Sequence, residues 1–235
     1  MWRICKFMSI FSTHHPSLTF PRRVHQSMTF LAAGHETTAT ATSWALLTLC
    51  KRPDIQKRLR EEIRSLLPSP NSSIPLTADL VDKLPYLNAV CSEVLRFHAP
   101  VPLTQRIAIR DTTIGGHAIP KGTSILIAPW ATNFDASLWG PDADQFNPDR
   151  WIGEKRSKNG GAESNFANLT FLHGPRSCIG LGFAKAEFLV LLASIVGRFE
   201  FEYGSEKFRG DDIQTGIVAR PKGGVHLKMR AVKGW

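Results

Sequence analysis

The chain lacks any C-x-x-C pair: its four cysteines, Cys5, Cys50, Cys91 and Cys178, stand far apart. That spacing excludes a zinc ribbon or a dithiol redox motif and points to a reducing compartment. No apolar run reaches the roughly 18 uncharged residues needed to cross a bilayer, and no secretory signal with a clear cleavage site is present. Internal repeats and low-complexity tracts are also missing, which removes solenoids and long linkers. Residues 1–23 contain no acidic side chain. They are basic and aromatic without a sustained amphipathic period, so they read as an atypical leader outside the fold rather than a mitochondrial presequence. Acid is scarce overall, with 20 aspartates and glutamates against 29 lysines and arginines, a net charge of +9. The basic residues are dispersed without an aromatic stacking pattern, which argues against nucleic acid. Two readings remain, a surface that steers an acidic protein partner and a simple excess of surface charge.

What is there is a set of strong helical patterns with short strands between them, a mainly α chain with small β-sheets (α+β). Val24 to Cys50 reads as one long apolar helix. Pro53 opens an amphipathic helix running to about Leu67, with Ile55, Leu59, Ile63 and Leu66 at helical spacing. A turn-rich loop follows over Pro68 to Ser73. A helix after Leu84-Pro85-Tyr86 carries Leu87, Val90, Val94 and Leu95 and ends before Pro100 and Pro102. Alternation around Arg106 predicts a strand, and Thr113 to Ile127 reads as two strands joined by a turn. Gly153 to Ser164 reads as a surface loop, Leu181 to about Phe199 as a buried helix, and Phe199 to Tyr203 as a strand. Residues 24–235 together read as one domain.

The chemistry concentrates in Phe171-Leu-His-Gly174-Pro-Arg176-Ser-Cys178-Ile-Gly180. Gly174 and Gly180 allow turns and close approach that a Cβ would block. Arg176 can pair with a carboxylate, Phe171 can pack beside the sulfur, and the following helix N-terminus sets a positive dipole near Cys178. A lone cysteine is ordinarily a small buried hydrophobe, but a cysteine in this loop suits one axial bond to the iron of a flat, anionic porphyrin.

Taken together these positions match F-x-x-G-x-R-x-C-x-G, and the chain resembles the cytochrome P450 family. Phe30-Leu-Ala-Ala33-Gly34-His35-Glu36-Thr37-Thr38 resembles that family's oxygen-binding helix, A-G-x-[DE]-T-T. The resemblance implies that Ala33 and Gly34 leave room for dioxygen and that Glu36 and Thr37 deliver protons. His35 and His173 fall on variable positions and receive no role. Glu93-Val-Leu-Arg96, with Arg150 in Phe146-Asn-Pro148-Asp-Arg150-Trp151, resembles the family's buried glutamate–arginine–arginine network, a structural brace for the cysteine loop. By the same resemblance Arg106 holds a haem propionate, the alternative being an exposed strand arginine. Gly216 to Met229 resembles the closing hairpin.

The implied function is that of a haem-thiolate monooxygenase. Haem b is ligated through Cys178, and electrons arrive from NADPH through a flavoprotein reductase that docks on a basic surface including Lys185. The implied substrate is a small apolar or amphipathic organic molecule, with dioxygen as co-substrate; no nucleic acid is expected. Segments around Pro129 and Trp139-Gly-Pro-Asp resemble fungal members, many of which act in secondary metabolism. Two alternatives stay open, a haem-thiolate isomerase or peroxygenase and a non-catalytic fragment. The resemblance starts near residue 24 and covers only the family's C-terminal half. A truncated chain or incomplete gene model is therefore expected, with apolar surface left exposed on the oxygen-binding helix. Full-length members sit on the cytosolic side of the endoplasmic reticulum through an anchor absent from this sequence.

Overall fold

The computed structural model describes residues 20–69, 72–75, 77–153, 159–205 and 212–234. Cys5, the leader through residue 19, and residues 154–158 of the 153–164 loop lie outside the described residues. Helix α1 (Phe20–Lys51) begins four residues before the Val24 expected from hydropathy and has two unlike halves. Early in the helix Val24, Met28, Phe30 and Leu31 are exposed, whereas Ala41, Trp44, Ala45, Leu47 and Leu49 are buried in the main core. No helix among the described residues is long and apolar enough to cross a membrane.

Helix α2 (Pro53–Leu66) packs Ile55, Leu59 and Ile63 inward, as its spacing predicts. Its charged positions reach other elements. Arg60 Nε donates to Val196 O at 3.0 Å and Arg64 Nε to Gly197 O at 2.9 Å, so two guanidinium groups satisfy carbonyls at the end of helix α7 (Leu181–Arg198). After the single turn α3 (Ala78–Val81), helix α4 (Pro85–Phe97) starts with no side-chain cap of its own. Glu62 of α2 supplies one, accepting from Tyr86 N and Leu87 N, each at 2.8 Å. Gln56, buried, ties α1 and α2 to strand β5 (Phe199–Tyr203) by donating to Leu49 O and Phe201 O and accepting from Phe201 N.

Among the described residues, four two-stranded antiparallel sheets surround this helical core. Strand β1 (Thr104–Ile107) pairs with β4 (Ser124–Ile127), and nested between them β2 (Thr112–Ile114) and β3 (His117–Ile119) form a hairpin. Gly115 and Gly116 close that hairpin at φ +55° and +83°, left-handed values that favour glycine. Two short helices follow, α5 (Pro129–Asn133) and α6 (Ala136–Trp139). The C-terminal pairing departs from the expected hairpin over Gly216 to Met229. Strand β6 (Ile213–Gln214) pairs with β7 (Arg220–Pro221), while β8 (Leu227–Ala231) runs back along β5 (Phe199–Tyr203). Burying Phe201 in the main core favours this long-range partner over a local one. The 153–164 segment also differs from a free surface loop: a Cβ on Gly160 would stand 2.9 Å from the Trp139 ring and 3.1 Å from Trp151. Ala162 is buried beside both rings.

His98, just past α4, holds α1 in place. Its ring stacks on Trp44 at 4.4 Å and 3°, and its Nε2 lies 3.2 Å from Thr48 Oγ1. Burial, then the charges of Lys51 and Arg96, push the imidazole down to about 3. The unfolded chain therefore takes up a proton near pH 6.5 that the folded chain refuses, and stability falls as pH drops from 6.5 toward 3. Urea unfolding should show His98 contributing a loss of up to about 2 kcal/mol between pH 7 and 5, and His98→Phe, which keeps the stack, should lack that part. Equal pH slopes in the two proteins would contradict this assignment.

Candidate haem-thiolate site

The cysteine loop runs under α1 and into α7. Cys178 N donates to Phe171 O at 2.9 Å, closing the loop on itself, and Leu181 N, in the first turn of α7, donates to Cys178 O at 3.3 Å. Gly174 has φ +77°, and even Leu172 is held at φ +57°, an uncommon conformation for a leucine. The three described thiols differ sharply. Cys91 is buried, and desolvation pushes its thiol far up. Cys50 is half-buried and pushed up to about 11, by burial first and Glu202 second. Cys178 is exposed.

A cleft with about 840 Å³ of free space, its open mouth included, lies between this loop and α1. Thr37, Thr38 and Ala41 line it from α1, Phe171, Leu172, Arg176 and Cys178 from the loop, and Ala184 and Phe188 from α7. Gly180 sits behind the sulfur, where a Cβ would be 3.9 Å from Cys178 Sγ. The lining is apolar apart from threonine hydroxyls and one cation, Arg176, which has no acidic partner among the described residues. An apolar slot with a single soft ligand at its floor and an unpaired guanidinium at its side suits haem. Among the described residues no cluster of three or more His, Cys, Asp or Glu could hold a metal ion.

Several expected residues stand apart from this lining. Ala33 is exposed on α1, where its carbonyl, and less closely that of Gly34, accepts from Thr37 Oγ1 at 2.8 and 3.5 Å. Glu36 is exposed and lies 3.7 Å from Arg220 of β7. Arg106 folds onto its own strand, donating to Thr104 Oγ1 and Gln105 O, with Thr104 between it and the cleft.

Glu93, Arg96 and Arg150 come together in one buried network. Glu93 and Arg96 are both fully buried, 2.8 Å apart, and Arg150 Nε reaches Glu93 Oε1 at 3.1 Å. The Glu93 carboxylate accepts five hydrogen bonds: two from Arg96 and one each from Arg150, Asn147 N and Trp151 Nε1. All five N–H groups of Arg96 are used, the remaining three on the carbonyls of Asn133, Ala143 and Gln145. Asp142, 2.9 Å from Arg150, neutralises the second arginine. Burial opposes its ionisation, but Arg150 and hydrogen bonds from Asn147 and the backbone outweigh that and hold its carboxyl below the usual range. Neither Asp142 nor the Trp151 indole was visible as a partner in the sequence, although both flank the Phe146-Asn-Pro segment.

A buried glutamate–arginine–arginine network and a cysteine loop faced by a threonine-bearing helix are thus present in one chain. The Cytochrome P450 family model matches residues 4–229, and the chain belongs to that family. It is 54% identical over 214 residues to the cytochrome P450 monooxygenase sphH of Aspergillus fumigatus, covering 90% of this chain and 39% of that protein. It is 45% identical to the cytochrome P450 monooxygenase FUM15 of Gibberella moniliformis, over 89% of this chain and 42% of the relative. With ALT8 of Alternaria alternata, also a cytochrome P450 monooxygenase, it shares 44% identity, over 90% of this chain and 41% of the relative. The chain thus spans about two-fifths of the length of these relatives.

Replacing Trp151 by Phe keeps the ring against Trp139, 5.8 Å away, but removes one donor from a buried carboxylate. We expect a loss of about 1.5–3 kcal/mol in urea unfolding. Lys228→Ala, at an exposed pair with Glu202, should change stability by less than about 1 kcal/mol.

Proposed function

We propose that this chain carries the haem-binding and oxygen-activating part of a monooxygenase that inserts one atom of dioxygen into a small apolar or amphipathic organic substrate. The observation that carries this reading is the cleft that brings the exposed Cys178, the unpaired Arg176 and Thr37 of α1 together. Haem bound there through a thiolate would supply dioxygen activation, the sulfur's electron donation favouring O–O cleavage.

The chain's own groups would divide the remaining work. Cys178 is the iron ligand, and the Phe171 carbonyl fixes its backbone amide. Arg176 pairs with one propionate at the cleft wall, and Arg106 becomes a second partner by turning away from Gln105 O. Because the Thr37 hydroxyl donates to Ala33 O, its oxygen remains an acceptor that can hold a proton donor near the reacting face. Glu36, one position earlier, supplies protons from the solvent side once released from Arg220. Ala33 and Gly34 keep that stretch of helix free of bulk. The electron source in this reading is NADPH through a flavoprotein reductase, received on a basic surface that includes the exposed Lys185. The relatives named cytochrome P450 monooxygenases support this reaction class, and a role in fungal secondary metabolism is part of the same proposal.

Reconstitution with haem tests the assignment. The ferrous carbon monoxide difference spectrum should be of the thiolate type, and Cys178→Ser should abolish it; the same spectrum in that variant would overturn the ligand assignment. With reductase and NADPH, Thr37→Ala should lower product formation at least about tenfold at unchanged haem content. Turnover with peroxide alone, and none with reductase, would instead support a peroxygenase.

A further inference from the structure

Glu93, Arg96 and Arg150 touch neither the cleft nor Cys178, so their order must reach the thiolate loop through other groups. We infer that Asn133 and Thr170 are positioning residues that couple this buried cluster to the Cys178 loop, a role that rests on the haem-thiolate reading. Asn133, at the end of α5, is fully buried. Its backbone carbonyl accepts from Arg96 Nη1 at 2.7 Å. Its side-chain Nδ2 donates to Arg96 O at 2.9 Å and to Thr170 Oγ1 at 3.0 Å, and its Oδ1 accepts from Leu169 N at 3.3 Å. These partners fix the amide's orientation: a carbonyl oxygen requires a donor and a backbone amide requires an acceptor, so a flipped side chain would fail at both.

Thr170 continues the connection. Its hydroxyl accepts from Asn133 and donates to Leu95 O at 2.7 Å, which pins the loop to the last turn of α4, one residue before Arg96. The next residue is Phe171, whose carbonyl holds Cys178 N. Leu172 N, in its left-handed conformation, donates to Leu169 O at 3.0 Å. Hydrogen bonds thus run from the Arg96 guanidinium to Asn133 and from Asn133 to Thr170, and the peptide bond from Thr170 to Phe171 carries the connection to the Phe171 carbonyl that holds Cys178 N. Helix α5 has only five residues, so the fixed position of Asn133 derives from this network rather than from helical stiffness. Removing one polar member leaves its partners buried and unpaired, which costs more than the bond itself.

Thr170→Val removes the hydroxyl at nearly constant volume, and Thr170→Ser keeps it. In the chain without added haem, hydrogen exchange at the Cys178 amide should speed up about tenfold in Thr170→Val. It should stay within about twofold of the parent in Thr170→Ser, and α2 should be unaffected in both. Asn133→Ala should match the valine variant at Cys178. In the haem-loaded chain, Thr170→Val should move part of the ferrous carbon monoxide spectrum from the thiolate to the neutral-thiol type, and Thr170→Ser should not. Unchanged exchange at Cys178, or equal acceleration at every amide, would overturn the inference. If the unsubstituted chain gives no thiolate spectrum, the haem reading fails, while the exchange comparison still decides the coupling.

Discussion

A carboxylate sealed from water between two guanidinium groups is the constraint on which the rest of this structure depends. Glu93 is fully buried, and charge in that setting is tolerated only with complete pairing and hydrogen bonding. The chain meets both conditions through groups from distant segments: Arg96 one turn along α4, Arg150 and Trp151 from the 3₁₀ turn over Pro148–Trp151, and Asn147 before it. Arg96 in turn needs three carbonyls from residues 133–145. Its guanidinium also lies 5.2 Å from the Trp139 ring centroid and 5.7 Å from that of Phe134. One helix thereby gathers the chain between residues 129 and 151, whose helical pieces are each only four or five residues long.

The same economy recurs around the core. The polar side of α2 completes the ends of two other helices, with Glu62 at the start of α4 and Arg60 and Arg64 at the end of α7. Helix α7 carries Phe188, Leu192 and Val196 into the core and meets the cysteine loop at its N-terminus. Helix α1, fastened by the Trp44–His98 stack, lies across the cleft. The thiol at the junction is left exposed while burial pushes the other two described thiols up, a difference of environment rather than of residue type.

Much of this was legible in the sequence. Periodicity placed α1, α2, α4 and α7 within a few residues of their ends, and the motif spacing placed Cys178 and Thr37 on elements that do meet across the cleft. Side-chain direction was not legible: Glu36 and Arg106 lie on the expected helix and strand, yet one reaches Arg220 and the other its own backbone. Nor were partners brought together from far along the chain. Glu62 meets Tyr86, β8 chooses β5 over a nearby strand, and Gly160 is needed because two tryptophans leave no room for a Cβ. Each of these depends on packing between elements, and local pattern carries no record of it.

The most direct test of the central constraint is the unfolding free energy of Glu93→Gln in urea. Glutamine keeps the volume but removes the charge and sets an NH₂ against guanidinium and indole donors, leaving Arg96 buried without its counter-ion. We predict a loss of about 3–5 kcal/mol relative to the parent chain. A change of less than about 1 kcal/mol would contradict the account, because it would mean that packing alone holds this part of the fold.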